Sequence, residues 1–158
     1  MEKDSSNFME EAIRLSVANV EEGKGGPFGA VIVKDGVIIA RGANSVTSTN
    51  DPTAHAEVVA IRNACAALGT FQLDGCEIYT SCEPCPMCLG AIYWARPDKM
   101  FFGNSKEDAA AIDFDDQFIY EELAKPIAQR TLFTRQIMRN EAMEAFNKWS
   151  TSTKKTEY

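Results

Sequence analysis

Between two β-rich runs, residues 28–33 and 37–40, stand only Lys34, Asp35 and Gly36. Asp-Gly at that spacing supplies the positive φ of a tight hairpin turn, so the two runs predict an antiparallel pair. Beyond the pair, helix and strand alternate. A helix over 55–68 is closed by Gly69, a short buried strand covers 76–80, an apolar helix over 86–95 begins at a proline, and a strand covers 100–102. An opening hairpin succeeded by this alternation predicts a mixed central sheet with helices on its faces, a three-layer α/β/α sandwich.

The flanking segments are read in the same way. Over residues 8–20 the apolar stripe Met9, Ile13, Val17 and Val20, with Glu10, Glu11 and Arg14 largely off it, predicts a first helix ending near Gly23. Residues 44–52 read as a polar loop, with Thr53 near the capping position of the next helix. Residues 104–116 are polar and small, 118–123 predict a short helix, 140–149 a longer one, and 150–158 a loose end. With 158 residues, 45% of them hydrophobic, the chain has the length and core content of one domain spanning 1–158, and it shows no internal repeat or low-complexity block.

Sixteen Lys and Arg stand against 23 Asp and Glu, a net charge of -7, and such a field repels phosphate backbones. Extended nucleic acid is therefore not an expected partner. Cysteine occurs five times, with Cys82, Cys85 and Cys88 crowded at a spacing that suits metal ligation better than a secreted disulfide framework. No apolar signal segment opens the chain and no run is long enough to span a membrane, so a cytoplasmic location is expected.

His55 is the one histidine of the chain and opens a predicted helix; Cys85 and Cys88 lie at the start of another, thirty positions on. Amide groups and the dipole at a helix start favour thiolates. A zinc ion held by three such ligands, with one position open, lowers the pKa of water to about 7 and so provides a nucleophile at neutral pH. Glu57, two residues after His55, faces the same metal from a position suited to moving a proton. Taken singly, His55 would be an ordinary core histidine and Glu57 a solvated helix charge; joined to the cysteines they form a constellation. Cys82-x-x-Cys85-x-x-Cys88 also fits part of an iron–sulfur pattern, but the fourth cysteine would have to be Cys65 or Cys76, which read as core residues on a helix and a strand.

The runs Pro52-Thr53-Ala54-His55-Ala56-Glu57 and Glu83-Pro84-Cys85-Pro86-Met87-Cys88 resemble the two halves of the signature of the cytidine-deaminase-like zinc deaminases. Within that superfamily, Gly25-Gly26-Pro27-Phe28-Gly29, Asn44, the run from Cys88 to Trp94, Phe114-Asp115-Asp116 and the terminal Tyr158 resemble the bacterial guanine deaminases. The resemblance implies a cytidine-deaminase-like fold, one zinc per subunit on His55, Cys85 and Cys88, and Glu57 as the proton shuttle. It implies Asn44 as a hydrogen-bonding partner of the purine, Phe28 and Trp94 as ring-contacting walls, Ala54 and Tyr158 as further substrate-binding positions, and Asp116 as the acid that assists the leaving ammonia. It also implies a homodimer in which residues 150–158 cross to the partner and close its pocket.

On this reading the chain hydrolyses guanine to xanthine and ammonia in purine catabolism or salvage. The rivals are a guanosine or cytosine deaminase, a tRNA-specific adenosine deaminase, and a binding module with a structural zinc. The tRNA enzyme requires a basic surface, which the acidic balance opposes unless one face gathers Lys99, Lys106, Arg130, Arg135, Lys154 and Lys155. A structural zinc would take a fourth protein ligand such as Cys82 and would leave Glu57 without a purpose.

Overall fold

The computed structural model describes residues 2–158, with side chains from Ser5 onward. The chain divides into two compact units, Met1–Asp116 and Gln117–Tyr158. In the first, helix α1 (Glu2–Glu21) leads into strands β1 (Gly29–Lys34) and β2 (Val37–Ala43). Asp35 and Gly36 between them take φ of 50° and 74°, the pair of left-handed residues that a two-residue hairpin turn requires. Helices α2 (Val46–Thr49) and α3 (Ala56–Leu68) come next, then β3 (Cys76–Cys82), α4 (Pro86–Ala95), β4 (Lys99–Asn104) and α5 (Lys106–Ala110).

The four strands form one sheet in the order β2-β1-β3-β4. β1 pairs antiparallel with β2 and with β3, and β4 runs parallel to β3, as a strand returned by the α4 crossover must. The sheet is mixed, and alternate residues face opposite layers. Ala30, Ile32 and Ile78 point into a core with Ala56, Ala60 and Ala64 of α3 and Ile92 and Ala95 of α4. Val31, Val33 and Tyr79 point the other way, toward Phe8, Met9 and Leu15 of α1. These are the three layers expected from the strand–helix alternation.

Alanines on α3 let that helix lie close to the sheet, and Gly42 on β2 completes the approach. A Cβ at Gly42 would stand 2.2 Å from the Ala56 carbonyl oxygen and 2.5 Å from the Ala60 nitrogen, both backbone atoms of α3. Gly69 ends α3 in the left-handed conformation at φ 65°.

Three local features go beyond these expectations or differ from them. α1 buries Ala12, Ser16 and Asn19, so the stripe Ile13, Val17 and Val20 faces outward. Periodicity identifies the helix, but two stripes of mixed size satisfy it, and the small and polar one packs against the sheet and the loop after the helix. His55, not Thr53, occupies the N-cap of α3; Thr53 instead donates to the Asp51 carboxylate through its hydroxyl and its N–H. The polar stretches 44–52 and 104–116 carry the short helices α2 and α5, the latter held by a capping box between Ser105 and Asp108.

The second unit holds α6 (Gln117–Ala124), a 3-10 turn (Ile127–Gln129) and α7 (Arg139–Thr151), none of which contains a buried residue. Glu122 organises it locally, accepting from Lys125 and from the Thr131 backbone N–H and hydroxyl.

Candidate metal centre and active site

Two helix starts meet at the site. His55 is the N-cap of α3 and Cys85 the N-cap of α4, both in extended conformation, with Pro86 as the first residue of α4 and Cys88 in its first turn. The His55 Nδ1 lies 3.6 Å from Cys85 Sγ and 3.4 Å from Cys88 Sγ, and the three donor atoms all fall within 4.8 Å of one another. Tetrahedral zinc with ordinary bonds to nitrogen and sulfur would separate those donors by about 3.5 Å, so the donor set fits the ion in kind and in spacing. Cys82 lies outside the group: its Sγ is directed 3.6 Å from the Ser105 carbonyl, and burial together with the Glu57 charge pushes its thiol up to about 11. The three ligands therefore leave a fourth position, as a catalytic zinc requires.

The electrostatics arise from the same crowding. A hydrogen bond from the Cys88 thiol, then contact with His55, draws Cys85 down to about 4 and makes it a thiolate. Cys88 is pushed upward, because its proton is shared with Cys85 and its surroundings are buried and negative. The Cys85 thiolate raises His55. Glu57 is 6% exposed, and burial raises its carboxyl group. Its Oε2 accepts from Cys88 Sγ at 3.4 Å, and its Oε1 accepts from the Thr80 hydroxyl at 3.3 Å.

A second group of side chains lies on the loops around this centre. Asn44 is buried, and its Oδ1 accepts from the N–H groups of Gly26 and Val46 at 3.4 and 3.3 Å. Two donors facing one amide atom fix that atom as oxygen and turn the NH2 end the other way. Asn19 of α1 bridges the carbonyls of Gly26 and Asn44 through its Nδ2, at 2.7 and 2.9 Å. Gly25 permits the fit, since a Cβ there would stand 2.2 Å from the Asn44 carbonyl oxygen. Phe28 meets Phe114 edge-on at 4.9 Å, and Asp116, two residues on, is raised by burial and further by the Cys85 thiolate. Ala54 is buried beside His55, its carbonyl accepting from the Ser45 N–H at 2.9 Å.

Two expected positions are exposed. Trp94 is on the exposed face of α4, six residues and about 9 Å of helix rise beyond Cys88. Tyr158 ends the second unit and is exposed. Sequence reasoning passes over Asn19 and Thr80; a polar residue at a buried helical or strand position is the signal that would mark each.

A zinc-ready donor set at two helix starts, with a buried carboxylate against it and a three-layer mixed sheet beneath, defines a zinc-dependent deaminase site. Residues 2–104 match the family described as the cytidine and deoxycytidylate deaminase zinc-binding region, and the chain belongs to that family. The chain is 56% identical to guanine deaminase of Bacillus subtilis (strain 168) over 151 residues, 96% of this chain and 97% of that protein. The X-ray structure of a guanine deaminase from Bacillus subtilis superposes with a TM-score of 0.94, over 97% of this chain and 98% of that one. A tRNA-specific adenosine deaminase of Aquifex aeolicus (strain VF5) is 46% identical over 95 residues, 60% of this chain and 62% of that protein.

Proposed function

We propose that this chain hydrolyses guanine, taking guanine and water to xanthine and ammonia, as a step in purine catabolism or salvage. The observation that carries the substrate is the degree and extent of the similarity together: the likeness to guanine deaminase is 56% identity over 96% of the chain, whereas one tRNA-acting relative is 46% identical over 60% of it and another 35% identical over 76%. The net charge of -7 points the same way, since an anticodon stem needs a basic surface.

Bound to His55, Cys85 and Cys88, zinc supplies a Lewis acid that makes water nucleophilic at neutral pH. Glu57 takes the proton that the attacking water loses and delivers it to N3 of the purine as the oxygen adds to C2. Its burial favours this, because a carboxyl group raised toward neutrality accepts and returns a proton readily. Asn44, with its oxygen occupied by backbone donors, presents its NH2 to an acceptor on the purine edge. Phe28 and Ala54 wall the ring, and Asp116 receives the amino edge and assists departure of ammonia. Trp94 and Tyr158 complete the wall from the subunit boundary. Replacing Glu57 with Gln is expected to retain zinc and lose turnover by at least about 100-fold, measured as xanthine release and metal content; full activity in the variant ends this assignment.

We also place residues 1–158 in one functional deaminase domain that is completed by exchange between two copies. The second unit exposes Phe133 at 87%, together with Leu132, Ile137, Phe146 and Trp149, and α1 exposes Ile13, Val17 and Val20 at helical spacing. Apolar surfaces of that extent mark an interface. A homodimer in which residues 150–158 of each copy cross to the other, and carry Tyr158 to the partner's pocket, accords with these exposed surfaces. Light scattering on the purified protein checks it, with twice the monomer mass expected. A cytoplasmic location agrees with five free cysteines, and among the described residues no helix is long and apolar enough to cross a membrane.

A further inference from the structure

Residues 78, 80 and 82 of strand β3 share the face that looks toward α3 and α4. Ile78 on that face is part of the apolar core, whereas Thr80, one step along, brings a hydroxyl into a position 1% exposed. A hydroxyl buried among apolar groups costs stability unless it is hydrogen-bonded. The Cys82 carbonyl, 3.1 Å away on the same strand, would satisfy it alone. Thr80 nevertheless also stands 3.3 Å from Glu57 Oε1.

We propose that Thr80 is a positioning residue for Glu57, fixing the plane of its carboxyl group against the sheet. The proposal rests on the role of Glu57 given above. Thr80 donates its hydroxyl proton to Oε1 at 3.3 Å, which ties that oxygen to the sheet and leaves Oε2 on the side of Cys88 and the metal ligands, 3.4 Å from its sulfur. A valine would keep the shape of threonine but has no hydroxyl, so the bond to Oε1 is lost and the carboxyl plane is freer to turn.

The test is steady-state turnover of guanine by Thr80→Val, Thr80→Ala and Thr80→Ser in the full chain, with kcat expressed per bound zinc and the melting temperature recorded. Serine and alanine differ only in the hydroxyl, so that pair carries the test even if valine fails to fold. The expected result is kcat about tenfold lower in the valine and alanine variants, the size of one lost hydrogen bond, with KM and zinc content unchanged and serine within about twofold of the parent. A merely structural role would lower melting temperature and zinc content and leave kcat per zinc intact. Parental kcat per zinc in alanine or valine, or a serine variant as slow as alanine, overturns the proposal. Glu57→Gln, assayed alongside, separates the two readings: an active glutamine variant ends the Glu57 assignment, whereas an inactive one beside an active alanine variant ends only the role of Thr80.

Discussion

The first 116 residues and the last 42 solve the problem of apolar surface in opposite ways. Residues 1–116 sandwich a sheet between helices, bury Ile32, Ile78, Tyr79 and Leu73 completely or nearly so, and set the metal ligands where two helix starts converge. Residues 117–158 devote a comparable share of their length to helix and bury none of it within α6, the 3-10 turn or α7. Local signals suffice to form those helices, but tertiary burial supplies most of a helix's stability in a protein. Helices of that kind have little burial of their own to stabilise them, and so the two regions should respond to perturbation differently.

The sharpest way to break the contrast is at the metal centre. Cys88→Ser is expected to lower zinc affinity by more than the 10–100-fold typical of losing an outer-shell partner, and to abolish turnover, while the mass in solution stays that of the parent; metal analysis and light scattering read both. Ile32→Ala, deep in the first unit, should cost about 2–5 kcal/mol in denaturant unfolding, because a close-packed core cannot collapse around the lost atoms. Phe146→Asp on α7 should leave the core of the first unit intact and instead weaken dimerisation by about tenfold or more, read by sedimentation at falling concentration. A Phe146 variant that remains dimeric, with unaltered affinity, would show that the exposed apolar face of α7 is not the contact. The smallest effect belongs to the surface. Arg14 and Arg41, each hydrogen-bonded to Glu11 at 2.7 and 2.6 Å, draw its carboxyl down to about 2 from 4.5. A lowered folded-state value means that this contribution is present above pH 4.5 and is lost as pH falls through about 2. Both arginines are largely solvated, so Glu11→Gln should reduce stability at pH 7 by under about 1 kcal/mol and flatten its decline in acid.

Legibility divides along the same line. The hairpin is readable because Asp35-Gly36 is a chemical requirement of the turn, and α4 because Pro86 marks a start that a helix tolerates. His55, Cys85 and Cys88 are readable because ligand chemistry restricts residue type, and spacing restricts where ligands stand. The buried face of α1 is not, since Ala12, Ser16 and Asn19 carry little hydrophobic signal beside Ile13, Val17 and Val20. That inversion has one source with the exposure of α7. Periodicity reports which residues avoid water, and it is silent on whether their shelter lies in the same chain. Thr80 and Asn19 escape for a different reason: each makes a hydrogen bond to a residue 23 or more positions away, which no local pattern encodes.

Gly42 extends this to distance of another kind. It lies on an outer strand, touches no ligand of the metal, and among substitutions would pass for a neutral place to add a methyl group. The backbone of Ala56 and Ala60 stands where that methyl would go, at 2.2 and 2.5 Å, and Ala56 is the residue between His55 and Glu57. An alanine there would have to lift the opening turn of α3 by about 1 Å to reach ordinary contact, a displacement that can cost catalysis about 100-fold. The site is thus calibrated by a missing side chain, and because the clash is with backbone, Gly42 should be unforgiving both in a survey of variants scored for abundance and in one scored for turnover.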